Sequence, residues 1–357
     1  MTKRTASFLA IFSAIILAAL YSWYNFLNTP VITQAAGYIY KVRPGSSYKV
    51  VSAELHEQKI LKHPFLFDVL FTIRDEVHKL KAGEYLFPYG STPSKMIDQM
   101  ISGTGLVYHT FTIVPGMTFR QMREVLNKDP ALNHLTQNLT NDAVMKKIGE
   151  PNLNPEGRFF PDTYYFTADS TDVSLLKRAF VSMQQKILKN WGNRAPNLPF
   201  RTPYEALIAA SIIEKEAYAR SELPVIAGVM VNRLHKGIVL QFDPTVIYGM
   251  GERFNGTIYR SDLQDKHNTY NSYVYKGLPP TPISMPGLQA IEAVMHPSVN
   301  NYLYFVATGD GMTHQFSATL AQHDIAVKSA KVAHPQYFNH SLVKHYVVKS
   351  ISSDNTN

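Results

Sequence analysis

The sequence predicts an α+β protein with a single N-terminal transmembrane helix, a small α/β module and a larger mixed α+β domain. An uncharged apolar run opens the chain, and short alternating segments typical of strands are interleaved with segments of helical period. An almost wholly apolar stretch, residues 207–217, follows the middle of the chain and carries two carboxylates near its end. Because a helix that is apolar all round belongs inside a protein, we expect this helix in the core of the larger domain.

Composition favours a folded protein that works beside an anionic surface or polymer. The 357 residues are 45% hydrophobic and 17% charged, which suits large cores in two or three domains. The net charge is +8 without a dense Lys/Arg run, which argues against a nucleic-acid partner. The chain has no cysteine, no His-Glu-x-x-His, no Walker loop and no dinucleotide fingerprint, so we expect neither a metal nor a cofactor.

The N-terminus predicts a membrane anchor. Lys3 and Arg4 precede an uncharged run, residues 6–27, whose length matches a bilayer-spanning helix of about 20 residues and whose far end is aromatic. The positive flank places residues 1–5 in the cytoplasm and everything after the anchor outside. A cleaved signal peptide is the alternative, but the run is long for one and residues 34–36 form only a weak cleavage site.

A short linker, residues 28–37, leads to a module predicted over residues 38–110. Strands are predicted at 38–42 and 81–87, and helices at 51–60, at 65–73 and after Thr92. The motif Val42-Arg-Pro-Gly-Ser46 resembles Val114-Pro-Gly-Met-Thr118, and each precedes a helical run. Such small units are similar to LysM-type glycan-binding modules, although Pro-Gly before a helix is also common turn chemistry.

The larger domain is predicted over residues 111–335 and is followed by a tail, residues 336–357. Its first half contains an aromatic loop that leads into a strand and then several helices, predicted at 154–166, 172–190, 204–217 and 224–234. Its second half contains a strand, a helix, a hairpin with a Gly-Asp-Gly turn and a last helix, predicted at 238–242, 290–296, 302–317 and 318–333.

The end of the apolar helix carries the candidate acids. Glu214 and Glu216 are two residues apart, so on a helix they point about 200° away from each other and only one can face a small cleft. Burial there raises a carboxyl pKa, which suits a general acid. Two alternatives remain: an ordinary ion pair between Glu216 and Arg220, and a pair of Ser211 with Lys215, although Ser211 is better explained as a core serine bonded to its own helix.

Amides, hydroxyls and aromatic rings are concentrated between residues 232 and 287, and this combination is typical of sugar-binding clefts. Each residue alone is more often structural than a ligand contact, so the prediction rests on the group. The candidate substrate-binding residues are Asn232, Arg233, Gln241, Asp243, Thr245, Tyr248, Tyr270, Asn271 and Tyr273.

Seven motifs, in order along the chain, closely resemble the YceG-like endolytic murein transglycosylases. They are Glu156-Gly-Arg-Phe-Phe-Pro-Asp-Thr-Tyr164, Ala210-Ser-Ile-Ile-Glu-Lys-Glu216, Val231-Asn-Arg-Leu234, Leu240-Gln-Phe-Asp-Pro-Thr-Val-Ile-Tyr-Gly249, Tyr270-Asn-Ser-Tyr273, Gly277-Leu-Pro-Pro280 and Tyr302-Leu-Tyr-Phe-Val-Ala307. The resemblance extends from the apolar N-terminus to about residue 330. The chain departs from the family pattern at Thr281 and at His323-Asp324, which affects the loops rather than the reaction.

The resemblance implies a single-pass inner-membrane protein whose periplasmic catalytic domain cleaves nascent peptidoglycan strands, with peptidoglycan synthases (penicillin-binding proteins) as expected partners. It implies a LysM-like module near the membrane and assigns the catalytic acid/base to Glu216. The expected reaction breaks the β-1,4 bond between N-acetylmuramic acid and N-acetylglucosamine and leaves a 1,6-anhydro end. Two alternatives stay open: a hydrolase that uses Glu216 with Asp243, and a scaffold without catalytic activity.

Overall fold

The structure, a computed structural model, describes residues 3–333 apart from residues 77, 169, 217–218 and 309–312. The chain begins with helix α1 (Lys3–Asn28), of which Ser7–Asn28 is long and apolar enough to cross a membrane. The predicted apolar helix is therefore present, as a membrane anchor or as a signal sequence. The predicted tail and the Gly-Asp-Gly turn lie outside the described residues.

The chain forms two compact units. The first contains Met1–Thr110 with the short segments Pro130–Asn133 and Tyr165–Ser170. The second contains Phe111–Asp129, His134–Tyr164 and the chain from Thr171 onward. The candidate acids and all the candidate substrate-binding residues belong to the second unit.

The first unit packs helices against a short antiparallel sheet. Its elements after α1 are β1 (Tyr38–Val42), α2 (Tyr48–Glu57), α3 (Pro64–Ile73), β2 (Gly83–Phe87) and α4 (Pro93–Ser102). In the pairing of β1 with β2, Tyr40 lies opposite Tyr85, and both rings are buried in the core. These elements confirm the predicted ones, except that α2 ends before Ile60 because Lys59 adopts a left-handed φ of 62°.

The strand–turn–helix pattern occurs twice, as its repeated motif predicted. In the first copy β1 leads through Gly45 to α2, where the Ser47 side chain caps the helix. In the second, β3 (Tyr108–Thr112) leads to α5 (Phe119–Leu126), which begins with a capping box between Thr118 and Gln121. Gly45 and Gly116 have φ values of 79° and 83°, where a side chain would be strained. Glycan binding by these two strand–turn–helix segments stays a prediction.

The second unit is mainly helical around one long buried helix. Its remaining helices are α6 (Asn141–Ile148), α7 (Asp172–Gly192), α8 (Pro203–Glu216), α9 (Leu223–His235), α10 (Asp243–Met250), α11 (Arg260–Leu263), α12 (Leu288–Met295) and α13 (Leu320–Ala333). It also contains the antiparallel hairpin of β5 (Tyr304–Ala307) and β6 (His314–Ser317). Strand β4 (Thr163–Thr167) pairs with β3.

Helix α8 is the centre of the core, as its apolar sequence predicted. Every residue from Ala206 to Glu214 is buried, and α7, α9, α10 and α12 pack around the helix. Ser211 lies within this core, where its hydroxyl donates to the carbonyl oxygen of Ile208 at 2.7 Å. The interpretation of Ser211 as a core serine is therefore confirmed.

The strand predicted at residues 238–242 does not form. Within the described residues this segment makes a single bridge, between Val239 and Lys276, and Gln241 adopts a left-handed φ of 57°. The guanidinium of Arg233 donates to the carbonyl oxygens of Val239 and Leu240. Those carbonyls therefore bond to a side chain, and the turn at Gln241 ends the extended backbone before α10 begins.

Candidate active site

The two glutamates at the end of α8 have different surroundings. The side chain of Glu214 is only 2% exposed. Its Oε1 accepts from Arg220 Nη1 at 2.6 Å, and its Oε2 accepts from the backbone N–H of Gly287 at 3.0 Å. Glu216 is half-buried in the last turn of α8, where its negative charge acts on Tyr273. The end of the helix thus carries one enclosed carboxylate, Glu214, and a second acid, Glu216, that is half-buried.

Arg220 pairs with Glu214, whereas helical spacing had suggested Glu216 as its partner. Glu216 is the last residue of α8, and Arg220 begins a separate short 3-10 turn, Arg220–Glu222. The i, i+4 rule applies only within one continuous helix, so it does not describe this pair. Both acids are visible in the sequence. The end of the helix, which lies between them and Arg220, is visible only in the structure.

Two loops hold the end of α8 in place. Lys215 Nζ donates to the carbonyl oxygen of Gly116 at 3.3 Å. The backbone N–H of Gly116 in turn donates to the carbonyl oxygen of Met285 at 2.8 Å, and Gly287 holds Glu214 from the same loop. Burial lowers the pKa of the Lys215 ammonium, and the Glu214 charge partly offsets this effect. The last turn of α8 is therefore fixed by contacts that are distant in sequence.

Asp243 and Tyr273 form a polar pair, and Tyr273 lies within electrostatic reach of Glu216. The Tyr273 hydroxyl donates to Asp243 Oδ1. Burial raises the pKa of Tyr273, and the negative charges of Asp243 and Glu216 raise it further, so the hydroxyl keeps its proton. Asp243 is buried at the first position of α10, which places its carboxylate at the N-terminus of that helix.

Arg233 and Gln241 lie together beside this group. The buried guanidinium of Arg233 donates to Gln241 Oε1 at 2.8 Å and to the carbonyl oxygen of Leu303 at 2.6 Å. It also lies over the ring of Tyr304, 5.1 Å from the centroid. Arg233 thus joins α9 to the segment before α10 and to the β5 hairpin, whereas Gln241 itself stays exposed.

Tyr248 and Tyr270 form an aromatic pair around a third acid, Glu156. Their rings meet edge to face with centroids 4.8 Å apart, and the Tyr270 hydroxyl bonds to Thr281 Oγ1 at 2.8 Å. Glu156 accepts from the Tyr248 hydroxyl at 3.0 Å and from the backbone N–H of Phe119 at 3.0 Å. Burial raises the pKa of Glu156 to about 7, although both hydrogen bonds lower it.

Both tyrosines, but not Glu156, were among the predicted substrate-binding residues. The signal was an acid at the start of the aromatic stretch 156–166, where a buried carboxylate is unusual unless it has partners. Its partner Tyr248 is 92 residues away in sequence, so no local pattern could identify the pair.

Three other candidates hold the backbone of neighbouring loops. Thr245 is fully buried and its hydroxyl bonds to the carbonyl oxygen of Phe242 and to Ser272 Oγ. Asn271 is also fully buried, and its Nδ2 donates to three backbone carbonyls of residues 262–265. Asn232 Nδ2 donates to the carbonyl oxygens of Asn300 and Tyr302. We therefore assign these three residues a supporting role.

No cluster of three or more His, Cys, Asp or Glu side chains that could hold a metal ion occurs among residues 3–333 as described. The charged groups that act on the Tyr273 phenol are the carboxylates of Asp243 and Glu216 and the guanidinium of Arg233, which in turn binds the Gln241 amide. This combination suits proton transfer and hydrogen bonding to a polyhydroxyl ligand.

Two curated relatives of the chain are named endolytic murein transglycosylases. The chain is similar to the endolytic murein transglycosylase of Bacillus subtilis (strain 168), with 28% identity over 302 residues that cover 79% of this chain and 81% of that protein. It is 25% identical over 334 residues to the endolytic murein transglycosylase of Streptococcus pneumoniae strain D39, of whose length it spans 60%.

The crystal structure of a YceG-like protein from Listeria monocytogenes aligns with a TM-score of 0.49 and 24% identity, over 82% of this chain and 99% of that chain. The sequence profile of the YceG-like family matches residues 40–329. Because this match spans most of the sequence, the chain belongs to the YceG-like family.

Proposed function

We propose that the chain is a lytic transglycosylase that cleaves the β-1,4 bond between N-acetylmuramic acid and N-acetylglucosamine within nascent peptidoglycan strands. The observation that carries the proposal is the division of the two acids at the end of α8. Glu214 is enclosed by Arg220 and Gly287, whereas Glu216 is half-buried and lies within electrostatic reach of Tyr273. The names of the Bacillus and Streptococcus relatives support the reaction class.

Glu216 is the proposed acid and base. In its protonated form it donates a proton to the glycosidic oxygen while the bond from that oxygen to C1 of the muramic acid breaks. The resulting carboxylate accepts the proton of the C6 hydroxyl, whose oxygen bonds to C1. The products are a 1,6-anhydro end and a free hydroxyl on the leaving sugar. No water is consumed, and Glu216 ends the cycle protonated.

Asp243 is proposed to orient Tyr273 rather than to attack the sugar. Its carboxylate is buried and already accepts the Tyr273 hydroxyl, so it is poorly placed to form a bond to C1. Since the nucleophile is a hydroxyl of the substrate, no second carboxylate is required to activate water. Gln241, Tyr248, Tyr270 and Tyr273 are the proposed substrate contacts, and Arg233 positions Gln241.

The proposed site of action is the outer face of the inner membrane. Helix α1 is proposed as a retained anchor with the N-terminus in the cytoplasm, which places both folded units in the periplasm. Nascent glycan strands are made at this surface, so peptidoglycan synthases are the proposed neighbours and cleavage would end strand elongation. The LysM-like part of the first unit is proposed to hold the glycan.

Product analysis tests the proposed reaction. The purified full-length chain is incubated with uncrosslinked glycan strands, and the released fragments are analysed by mass spectrometry. We expect internal cleavage with 1,6-anhydro ends, each one water lighter than a reducing end. Reducing ends would instead establish a hydrolase, and the absence of cleavage with retained binding would establish a scaffold.

A further inference from the structure

Helix α3 in the first unit has apolar residues on two sides, and only one of these sides is buried in the core of the unit. With 3.6 residues per turn, Phe67, Leu70 and Phe71 share a sector of about 100° that is buried in the core. The adjoining sector of about 100° is also apolar and faces outward. It consists of Phe65, Leu66, Val69 and Ile73, which we call the outer face of α3.

The outer face is well exposed. Phe65 is 73% and Ile73 69% exposed, while Leu66 and Val69 are half-buried. A surface helix normally carries polar residues on the side that faces water, yet on α3 only Asp68 and Thr72 supply them. A contiguous apolar face of this kind marks a contact with another apolar phase.

The first unit is tied directly to the end of α1. Trp23, Phe26 and Leu27 of α1 pack against the same core that contains the buried face of α3. Three residues after α1 ends, the backbone N–H of Val31 donates to the carbonyl oxygen of Ser91 at 2.8 Å. Three residues span at most about 10 Å, so the unit cannot move away from the end of α1.

The C-terminal end of α3 is bonded to the helix that follows this attachment. Arg74 donates to Ser94 Oγ and to Asp98 Oδ1, each at 2.6 Å, and both residues belong to α4. Ser94 lies three residues after Ser91, where the chain leaving α1 is bound. Helix α4 contacts both α1 and α3, so the end of α1 and the end of α3 are attached to the same helix.

Polar residues suited to a lipid headgroup layer surround this region. Tyr89 is 69% exposed in the turn whose Gly90 N–H donates to the carbonyl oxygen of Ile32. Tyrosine is enriched at membrane interfaces because its ring is apolar and its hydroxyl is polar. Lys59 and Lys62 are exposed in the turn between α2 and α3, where lipid phosphate groups would offer them partners.

We propose that the outer face of α3 lies in the headgroup layer of the same bilayer that α1 crosses, so that the first unit is held flat on the membrane surface. Such helices bury their apolar face about 5–10 Å into the boundary between headgroups and acyl chains. The occupant of this face is phospholipid of the adjacent leaflet. The proposal rests on α1 as a retained anchor and not on the proposed reaction.

The test uses the absence of cysteine from the chain. Full-length Phe65→Cys and Ile73→Cys variants are labelled with an environment-sensitive fluorophore and reconstituted into phospholipid vesicles, some of which contain lipids with a nitroxide on the acyl chain. Leu188→Cys is the matched control, because it is an exposed apolar helix position (58%) in the second unit. We expect a blue-shifted emission and nitroxide quenching for both α3 labels and neither effect for the control.

Two results would overturn the proposal. Labels at Phe65 and Ile73 that emit and quench like the Leu188 label would show that this face is in water or needs a protein partner. Extraction of the wild-type chain from vesicles by alkaline carbonate would show that α1 is not an anchor, and the proposal would fail with it. Neither result affects product formation, so a failure of the proposed reaction is recognised separately.

Discussion

At the scale of single residues, Glu214 and Glu216 differ in their contacts with the rest of the protein. Glu214 uses both oxygens on partners within the protein, while Glu216 lies two residues further on the other side of α8. One carboxylate thus fixes the Arg220 turn and the Gly287 loop, and the other is the proposed acid and base. This assignment makes the two positions distinguishable by stability as well as by activity.

Glu214→Gln should lower stability and preserve the product. The amide can still accept one hydrogen bond, but its NH₂ group cannot accept the second, so either Arg220 or the Gly287 N–H loses its partner. We expect a loss of about 1–3 kcal/mol, because the site is buried. Urea unfolding would measure the loss, and product analysis should still find anhydro ends. Unchanged stability would contradict the structural role of Glu214.

Glu156 should make the stability of the protein depend on pH. Its pKa is raised by burial from 4.5 to about 7, so the folded protein holds the proton more tightly than the unfolded chain does. The stabilisation is complete below about pH 4.5 and is lost as the pH rises through 7. The full change corresponds to roughly 3 kcal/mol.

Glu156→Gln removes this titration. Its Oε1 can accept from the Phe119 N–H while its NH₂ group donates to the Tyr248 oxygen, so the packing is retained. Between pH 5 and 8 the Tm of the wild-type protein should fall relative to that of the variant. Glu57→Gln, at an exposed position of α2, is the control and should follow the wild-type curve. Parallel curves for all three proteins would contradict the assignment.

At the scale of the elements, the loop after α10 packs closely against the helix because residue 249 is a glycine. Asn268 Nδ2 donates to the carbonyl oxygen of Val246, and its Oδ1 accepts the backbone N–H of Tyr270. A Cβ on Gly249 would lie 1.8 Å from that Oδ1. The absence of a side chain at Gly249 therefore lets the loop that carries Tyr270 and Tyr273 close against α10.

Gly249→Ala should destabilise the second unit and reduce cleavage together. Asn268 must move, which breaks both of its bonds to the backbone, and we expect a loss on the order of 2–4 kcal/mol. Gly192→Ala is the control, since a Cβ there meets no atom within 4 Å. Thermal unfolding followed by circular dichroism measures both variants. Equal melting temperatures for the two would contradict this account of the loop.

Elements with local signals could be predicted from the sequence, and those that depend on distant contacts could not. Thr92 caps α4 and Thr118 caps α5 through bonds to residues three positions away, which a sequence pattern reveals. The segment 238–242 has the alternation of a strand, but Arg233 occupies its carbonyls. In the same way Glu156 was missed because both of its partners are distant in sequence.

At the scale of the whole molecule, the segment after α1 is part of the fold. Residues 28–37 were predicted to be a linker, yet Ile32 is completely buried in the core of the first unit. Cleavage near Ala36 would remove Ile32 together with the Val31–Ser91 hydrogen bond. The folded first unit therefore favours a retained N-terminus over a cleaved signal peptide.

We expect the protein isolated from membranes to carry its complete N-terminus. Mass spectrometry of the intact chain would find residues before Ile32 still attached. A mature form that begins near Ala36 and is soluble in the periplasm would contradict a retained anchor. Ile32→Ala tests separately whether this segment belongs to the folded core. Deleting most of this buried side chain should lower the free energy of unfolding by about 2–5 kcal/mol.

The identity of the acid at the end of α8 is the central claim, and Glu216→Gln tests it most directly. Glutamine keeps the size of the side chain but cannot donate a proton with a useful pKa, and each acid–base role contributes about 10²–10⁴ in rate. We expect a folded variant with no detectable anhydro product from uncrosslinked glycan strands, while Glu214→Gln still forms it. Normal cleavage by Glu216→Gln alongside a well-folded but inactive Glu214→Gln would contradict the account.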